Sequence, residues 1–279
     1  MFNIYNRYHS AVGGINFSQA LTYSEFRGKS RGIGLKYVQE GQENYVVQEH
    51  RLSVRKGQWM LVRDEGNFEV YSEKKVKVVN GICVDFDTDL LLQAHSGFEH
   101  CDLLFNTPFY CGPSSLGPSI FRFFDPFSSM GQSNEQNELA MRRVLDGIVA
   151  FAGYIHEIEG PLSVAVKHLE VQRQLLARLL YTKDYIHQYY HTKLPLGELA
   201  RVAGLSKYHF HRLFQLCFRC SPKDLQIQLR MDRAKELLAQ GDLPIYSIAY
   251  QLGYTDTAAF SNQFKRYHQQ TPFQYRGSL

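Results

Sequence analysis

Between Asn16 and Asp87 the hydrophobic positions come in short runs: GLKYVQEG, ENYVVQE, HRLSVRKG, WMLVRDEG, FEVYSE, KVKVVN and ICVDFD. They are rich in Val, Tyr, Phe and Ile, with Gly, Asn, Asp and Glu between them. Runs of this length and spacing predict an antiparallel β-sandwich or barrel. No proline falls in the stretch to demote a strand to an edge. From Asp89 to Met130 the pattern gives way to Phe-rich and loop-like sequence such as NTPFYCGPSSLGP, which completes the first domain. From Asn134 the period changes, and Leu139, Val144, Leu145, Ile148, Val149 and Ala152 keep helical spacing. Gly160-Pro161 is expected to break that helix and begin a connector. Beyond Val164 the chain reads as helix throughout. Leu169, Leu176, Leu179, Leu180 and Ile186 form an apolar stripe over one long helix or two, packing on its own domain or on a partner chain. The expected fold is α+β in two domains: residues 1–160 β-rich with a C-terminal helix, 161–181 a helical connector, and 182–279 all-α.

Within the last of these, one pattern occurs twice. Phe210 and Phe260 are 50 positions apart, as are Phe214 and Phe264, and Pro222 and Pro272. In the first copy Leu196, Leu199 and Val202 give a short helix with one apolar face. Gly204 can take the left-handed conformation that ends it. Ser206 is suited to cap the next helix, because its hydroxyl can accept from an early free N–H. Helix, glycine turn and capped helix form a helix-turn-helix. In its second helix Phe210, Leu213, Phe214 and Cys217 share the buried face. Lys207, Tyr208, His211, Arg212 and Gln215 share the outward one, a basic, aromatic and donor-rich surface able to meet base edges and phosphates in a major groove.

The second copy repeats the skeleton. Ile245, Ile248, Ala249 and Leu252 make the first helix, Gly253 the turn, and Phe260, Phe264 and Tyr267 fix the second helix. Its outward residues are Thr257, Ala258, Ser261, Asn262 and Lys265, smaller and less able to discriminate. Between the copies, Pro222 suits a helix start and Gly241 a stop, with Leu225, Leu229, Ala234, Leu237 and Leu238 as the apolar stripe. Roughly 17 helical residues span about 26 Å at 1.5 Å per residue. Such a spacer can hold two recognition helices near the ~34 Å repeat of successive major grooves.

Charge sharpens the picture. Residues 182–279 hold 13 Lys and Arg against 7 Asp and Glu, whereas the rest holds 18 against 20. A polyanion partner is therefore expected for the C-terminal third alone, with an ordinary solvated basic surface as the other reading. Five cysteines at irregular spacing make no disulfide framework. No leader-like segment opens the chain and no apolar run is long enough to span a bilayer, so a cytoplasmic setting without membrane is expected.

The segment from about Tyr185 to Arg276 resembles the DNA-binding domain of AraC/XylS-type transcription regulators. The likeness rests on R-x-x-x-A-K-x-L-L from Arg230, I-A-Y-x-x-G-Y from Ile248, F-x-x-x-F-K from Phe260 and T-P-x-x-Y-R from Thr271. The resemblance implies two helix-turn-helix units joined by a central helix and bound to adjacent major grooves of promoter DNA. It puts Tyr208, His211 and Arg212, then Thr257, Ala258 and Asn262, at base-facing positions, and Lys207 and Lys265 near phosphates. The small residues of the second copy depart from strong direct readout, leaving sequence choice to the first unit and to DNA shape. In this family the other domain is often a cupin-like sandwich that binds an effector or dimerises, and GLKYVQEGQENYVVQEHRLSVRKGQWMLV resembles its sheet. Tyr23, Glu25 and Arg27 stand where many sugar-sensing members carry histidines, so no sugar is expected. Tyr23, Phe26, Arg27, Arg31 and Tyr37 are candidates to line a pocket, or else are core and surface.

The implied partners are double-stranded DNA, a small-molecule effector, a second copy of the chain and RNA polymerase, with the sign of regulation, activator or repressor, open. No catalytic residue, cofactor or metal is expected. The histidines of the N-terminal part never occur as His-x-His, and no phosphate loop, Gly-x-Ser-x-Gly or His-Glu-x-x-His appears. Cys217-x-x-Cys220 ends a recognition helix without the second ligand pair a zinc site needs. An architectural DNA binder with little sequence preference is the other reading within DNA binding. A ligand-binding or dimerisation module without promoter binding is the reading from another class.

Overall fold

The computed structural model describes residues 3–10, 13–20, 24–29, 32–47, 50–64, 67–72, 78–86, 103–110 and 134–278 except 242. The chain divides into Met1–Tyr181 and Thr182–Leu279. Among the described residues the first unit holds ten strands: β1 (Asn3–Ser10), β2 (Gly13–Ala20), β3 (Glu25–Lys29), β4 (Gly32–Glu40), β5 (Gln42–Val47), β6 (His50–Arg55), β7 (Gln58–Asp64), β8 (Asn67–Ser72), β9 (Val79–Phe86) and β10 (Phe109–Tyr110). They form a six-stranded sheet ordered β1-β2-β9-β4-β7-β10 and a four-stranded sheet ordered β3-β8-β5-β6. Every paired strand is antiparallel. β1 lies upstream of the strands expected from hydrophobic runs, because NIYNRYHS carries more polar than apolar residues.

Alternation along the strands sorts side chains between two layers. Ala20, Val38, Met60, Val62 and Val79 of the larger sheet meet Tyr45, Val54 and Val70 of the smaller in one buried cluster. The other face of the larger sheet is buried too. Trp59 and Phe109 lie 5.0 Å apart, and Phe151 of helix α1 (Asn134–Ala165) sits 5.1 Å from Trp59. α1 runs through Gly160-Pro161, correcting the expected break. Proline removes one helical N–H, but Ile155, Ile158 and Leu162 stay buried on a single stripe across it, and that burial outweighs the one lost bond. α2 (Leu169–Tyr189) is one helix.

The second unit continues with α3 (Leu196–Val202), α4 (Lys207–Phe218), α5 (Pro222–Gln240), α6 (Ile245–Gln251), α7 (Thr257–His268) and α8 (Pro272–Gly277). Each longer helix has a side-chain start: Ser206 accepts from His209 N–H, and Asp256 accepts from Ala259 N–H. Ser221 with Asp224 and Thr271 with Gln274 form reciprocal capping boxes, each followed by proline. α5 ends at Gly241, whose φ of 79° is left-handed.

Candidate nucleic-acid interface

α3–α4 and α6–α7 are the two helix-turn-helix units, and α5 lies between them in sequence. In α4 Phe210 and Phe214 are fully buried and pack edge to face at 5.4 Å, with Leu213 and Cys217 beside them. In α7 Phe260 and Phe264 are likewise fully buried, 5.9 Å apart. Fixing these faces inward turns the intervening residues outward. Tyr208, Arg212 and Gln215 are exposed, Tyr208 by 74%, and His211 is half-buried. On α7, Ala258, Asn262 and Lys265 are exposed, with Thr257 and Ser261 half-buried.

Lys207 is exposed but its stem lies back across α3: a Cβ built on Gly197 would come within 2.8 Å of Lys207 Cε. Gly197 is the residue that leaves room for it. His211 lies close enough to the Asp224 carboxylate, at the start of α5, to help hold it below the usual carboxylate range, after the larger contribution of the Ser221 hydroxyl. Neither relation is visible in helical periodicity, because each joins two helices.

Tyr267, expected in the core, is 43% exposed. Its place is taken by His268, whose ring lies 4.5 Å from Phe264 and stacks on Tyr275 of α8 at 6.4 Å. Leu196 is likewise 37% exposed, and the buried face of α3 is Leu199, Ala200 and Ala203. Arg230 of α5 ties the second unit together. Its guanidinium donates to the carbonyls of Tyr190 (2.7 Å) and Thr192 (2.8 Å), and it lies 5.1 Å over the ring of Tyr254, in the turn of the second unit. Gln226 donates to the same two carbonyls at 2.9 and 2.7 Å.

Cys217 is buried, and burial pushes its thiol up to about 12; burial also raises Cys220. A reactive or metal-binding thiol needs the opposite shift. Among the described residues no three His, Cys, Asp or Glu side chains are grouped to hold a metal, and no helix is long and apolar enough to cross a membrane.

Of the residues expected to line a pocket in the first unit, the three that are described do not converge. Tyr23 and Arg31 lie outside the described residues. Phe26 is on edge strand β3 and 37% exposed, and Arg27 pairs outward with Glu25 (3.1 Å) and Glu69 (2.9 Å). Tyr37 is buried on the other sheet, opposite Trp59 and Ile82. Between the sheets lies instead a polar set whose Asp85 end is open, its side chain 49% exposed. Lys36 stands directly opposite Cys83 and donates to its sulfur, with Asp85 4.0 Å from the ammonium. The Tyr45 hydroxyl donates to Glu43, which is buried. Burial disfavours the Lys36 ammonium, but Cys83 and the carboxylates of Asp85 and Glu43 more than offset it and raise its pKa. Burial likewise pushes the Cys83 thiol up to about 12 against the pull of Lys36.

The helix-turn-helix domain family matches residues 199–278. Over 252 residues the chain is 27% identical to the Msm operon regulatory protein of Streptococcus mutans, covering 88% of this chain and 84% of that one. It is 34% identical to the raffinose operon transcriptional regulatory protein RafR of Pediococcus pentosaceus over 96 residues, 34% of this chain and 35% of the relative. Among solved structures, the C-terminal domain of AraT, a response regulator from Geobacillus stearothermophilus, is 29% identical. It covers 38% of this chain and 88% of that one, with a TM-score of 0.36.

Proposed function

We propose that the chain is a DNA-binding transcription regulator of the AraC type that reads its promoter chiefly through α4 and anchors through α7; the helix-turn-helix family match over residues 199–278 and the 27% identity to the Msm operon regulatory protein support that reading. The observation that carries this reading is the contrast between two equivalent helices. Both bury the same pair of phenylalanines, yet α4 turns out Tyr208, His211 and Arg212 where α7 turns out Thr257, Ala258 and Asn262. Arg212 can donate two parallel hydrogen bonds to guanine, whereas Ala258 offers only a methyl. Lys265 supplies a phosphate contact, and Lys207 another from across α3.

Control enters through the β-rich unit, by an effector or by self-association. The polar set of Lys36, Glu43, Tyr45 and Cys83, open to solvent at Asp85, supports a polar effector over an apolar one, since an apolar core has no use for a charge as covered as that of Glu43 or Lys36. That relatives are named for the msm and raffinose operons supports an operon as the target.

The test is selection of preferred duplexes from a random pool by the full chain. Alanine at Tyr208, His211 and Arg212 should flatten one half of the selected motif. Alanine at Thr257 and Asn262 should lower affinity and leave the motif standing. An unchanged motif in the first variant refutes the division of labour, and a wild-type pool with no motif at all favours an architectural binder.

A further inference from the structure

Five described backbone positions between Thr182 and Ser278 are left-handed. Three are the glycines 204, 241 and 253, where the chain simply has to turn. The other two are Arg219 (φ 55°) and Gln269 (φ 62°), 50 residues apart, each ending a recognition helix. Each closes its helix through its own N–H: Arg219 N–H donates to the Gln215 carbonyl at 2.9 Å and Gln269 N–H to the Lys265 carbonyl at 2.8 Å, and the Gln269 side-chain amide spends one of its two N–H groups on the Arg266 carbonyl at 3.2 Å. Glycine would do this without the clash a Cβ suffers in that conformation. The strain is retained twice, at equivalent places, under a side chain that still has donors to offer: the Arg219 guanidinium, and the second N–H of the Gln269 amide.

Both residues are exposed, and the Arg219 guanidinium makes no hydrogen bond or ion pair among the described residues. A cation beside a helix C-terminus gains from the helix dipole, which would account for Arg219 but not for uncharged Gln269. What the two share is position. A recognition helix enters the groove by its N-terminal residues, and its C-terminal end emerges at the sugar-phosphate backbone.

Resting on the DNA-binding reading above, we infer that Arg219 and Gln269 contact DNA phosphates where each recognition helix leaves its groove, Arg219 as a charged donor and Gln269 as a neutral one.

Phosphate contacts do not depend on sequence, so an arbitrary 30-base-pair duplex serves as probe, with the full chain titrated across a salt series. Arg219→Gly should raise the melting transition by about 2–4 °C as strain is released. It should also weaken binding about threefold to tenfold and make the slope of log affinity against log salt shallower by about 0.9. Arg219→Lys should restore the slope. Gln269→Gly, which releases strain but gives up the bond to Arg266, should bind more weakly with the slope unchanged, because no charge is lost. An Arg219→Gly chain that melts higher yet keeps wild-type affinity and slope overturns the inference. So does one that melts lower, since the side chain then serves the fold. Wild-type chain that fails to bind the duplex at all removes the DNA-binding reading and this inference with it.

Discussion

Gly253 and Gly241 make a matched pair of perturbations. Both hold left-handed backbone, φ +78° and +79°. Alanine at either carries the steric cost of that conformation, about 1–2 kcal/mol. At Gly241 nothing lies within 4 Å of the added methyl. At Gly253 the methyl would overlap the His191 carbonyl oxygen and stand 3.0 Å from Arg230 Nη2. That carbonyl cannot step aside freely, because its neighbours Tyr190 and Thr192 are held by Arg230 and Gln226 through the four hydrogen bonds given above. These are partly exposed bonds, each contributing about 1 kcal/mol. Losing three or four of them on top of the backbone term puts Gly253→Ala at about 4–6 kcal/mol, against 1–2 for Gly241→Ala. The first figure approaches the whole stability of a domain, roughly 5–15 kcal/mol. Chemical unfolding of the full chain followed by circular dichroism measures both. Gly241→Ala should shift the helical transition modestly and bind DNA normally, while Gly253→Ala should lose the transition of the second unit and bind poorly. Equal shifts for the two variants would refute the claim that His191 is held in place by Arg230 and Gln226.

Arg212→Ala should cost about 1–3 kcal/mol at the preferred site and relax one base position; wild-type affinity there removes Arg212 from base readout. Burial first, and then Lys183, lower the His187 pKa from 6.5 to about 4. Between those pH values the unfolded chain takes up a proton that the folded chain refuses, so stability falls as pH drops from 6.5 towards 4. His187→Leu should flatten that part of the midpoint-versus-pH curve, and an unchanged slope would sink the assignment. Lys36→Met leaves buried Glu43 without the nearby cation and should destabilise the β-unit by about 3 kcal/mol, with half-exposed Asp85 contributing little. Adding Glu43→Gln should recover part of the loss, and a purely additive double variant would show the two not to be coupled.

What hydrophobic spacing reveals is each element's inward face, and it does so where a face packs against its own neighbours in sequence. Phe210, Phe214, Phe260, Phe264 and the cap at Ser206 were legible for that reason. Tyr267 has the apolar character of a core residue without the position of one: one residue later, His268 has the angular placement that reaches Phe264 and Tyr275. Lys36 was missed because it alternates with Leu35 and Tyr37, and in a sheet with one wet face it would point to water. Here both faces are covered, one by the second sheet and one by α1, so the polar parity is interior as well. Pro161 was read as a stop because local chemistry says so, whereas continuity is decided by the burial of Ile158 and Leu162 on either side.

The two copies differ in how they are held as well as in what they show outside. The second is clamped by Arg230 to the carbonyls after α2 and to the Tyr254 ring, and is closed behind by the Phe264–His268–Tyr275 stack. The first is tied to α2 by other groups, among them the Tyr185 hydroxyl on Glu198 (2.9 Å) and Lys183 over the Phe218 ring (5.1 Å). A unit that anchors gains from rigidity, because a misplaced phosphate contact is lost outright. A unit that reads bases gains from freedom to adjust a long side chain against an edge. Divergence after duplication then has a physical direction: substitutions in the second copy should register chiefly as stability, and substitutions on the outward face of the first chiefly as sequence preference.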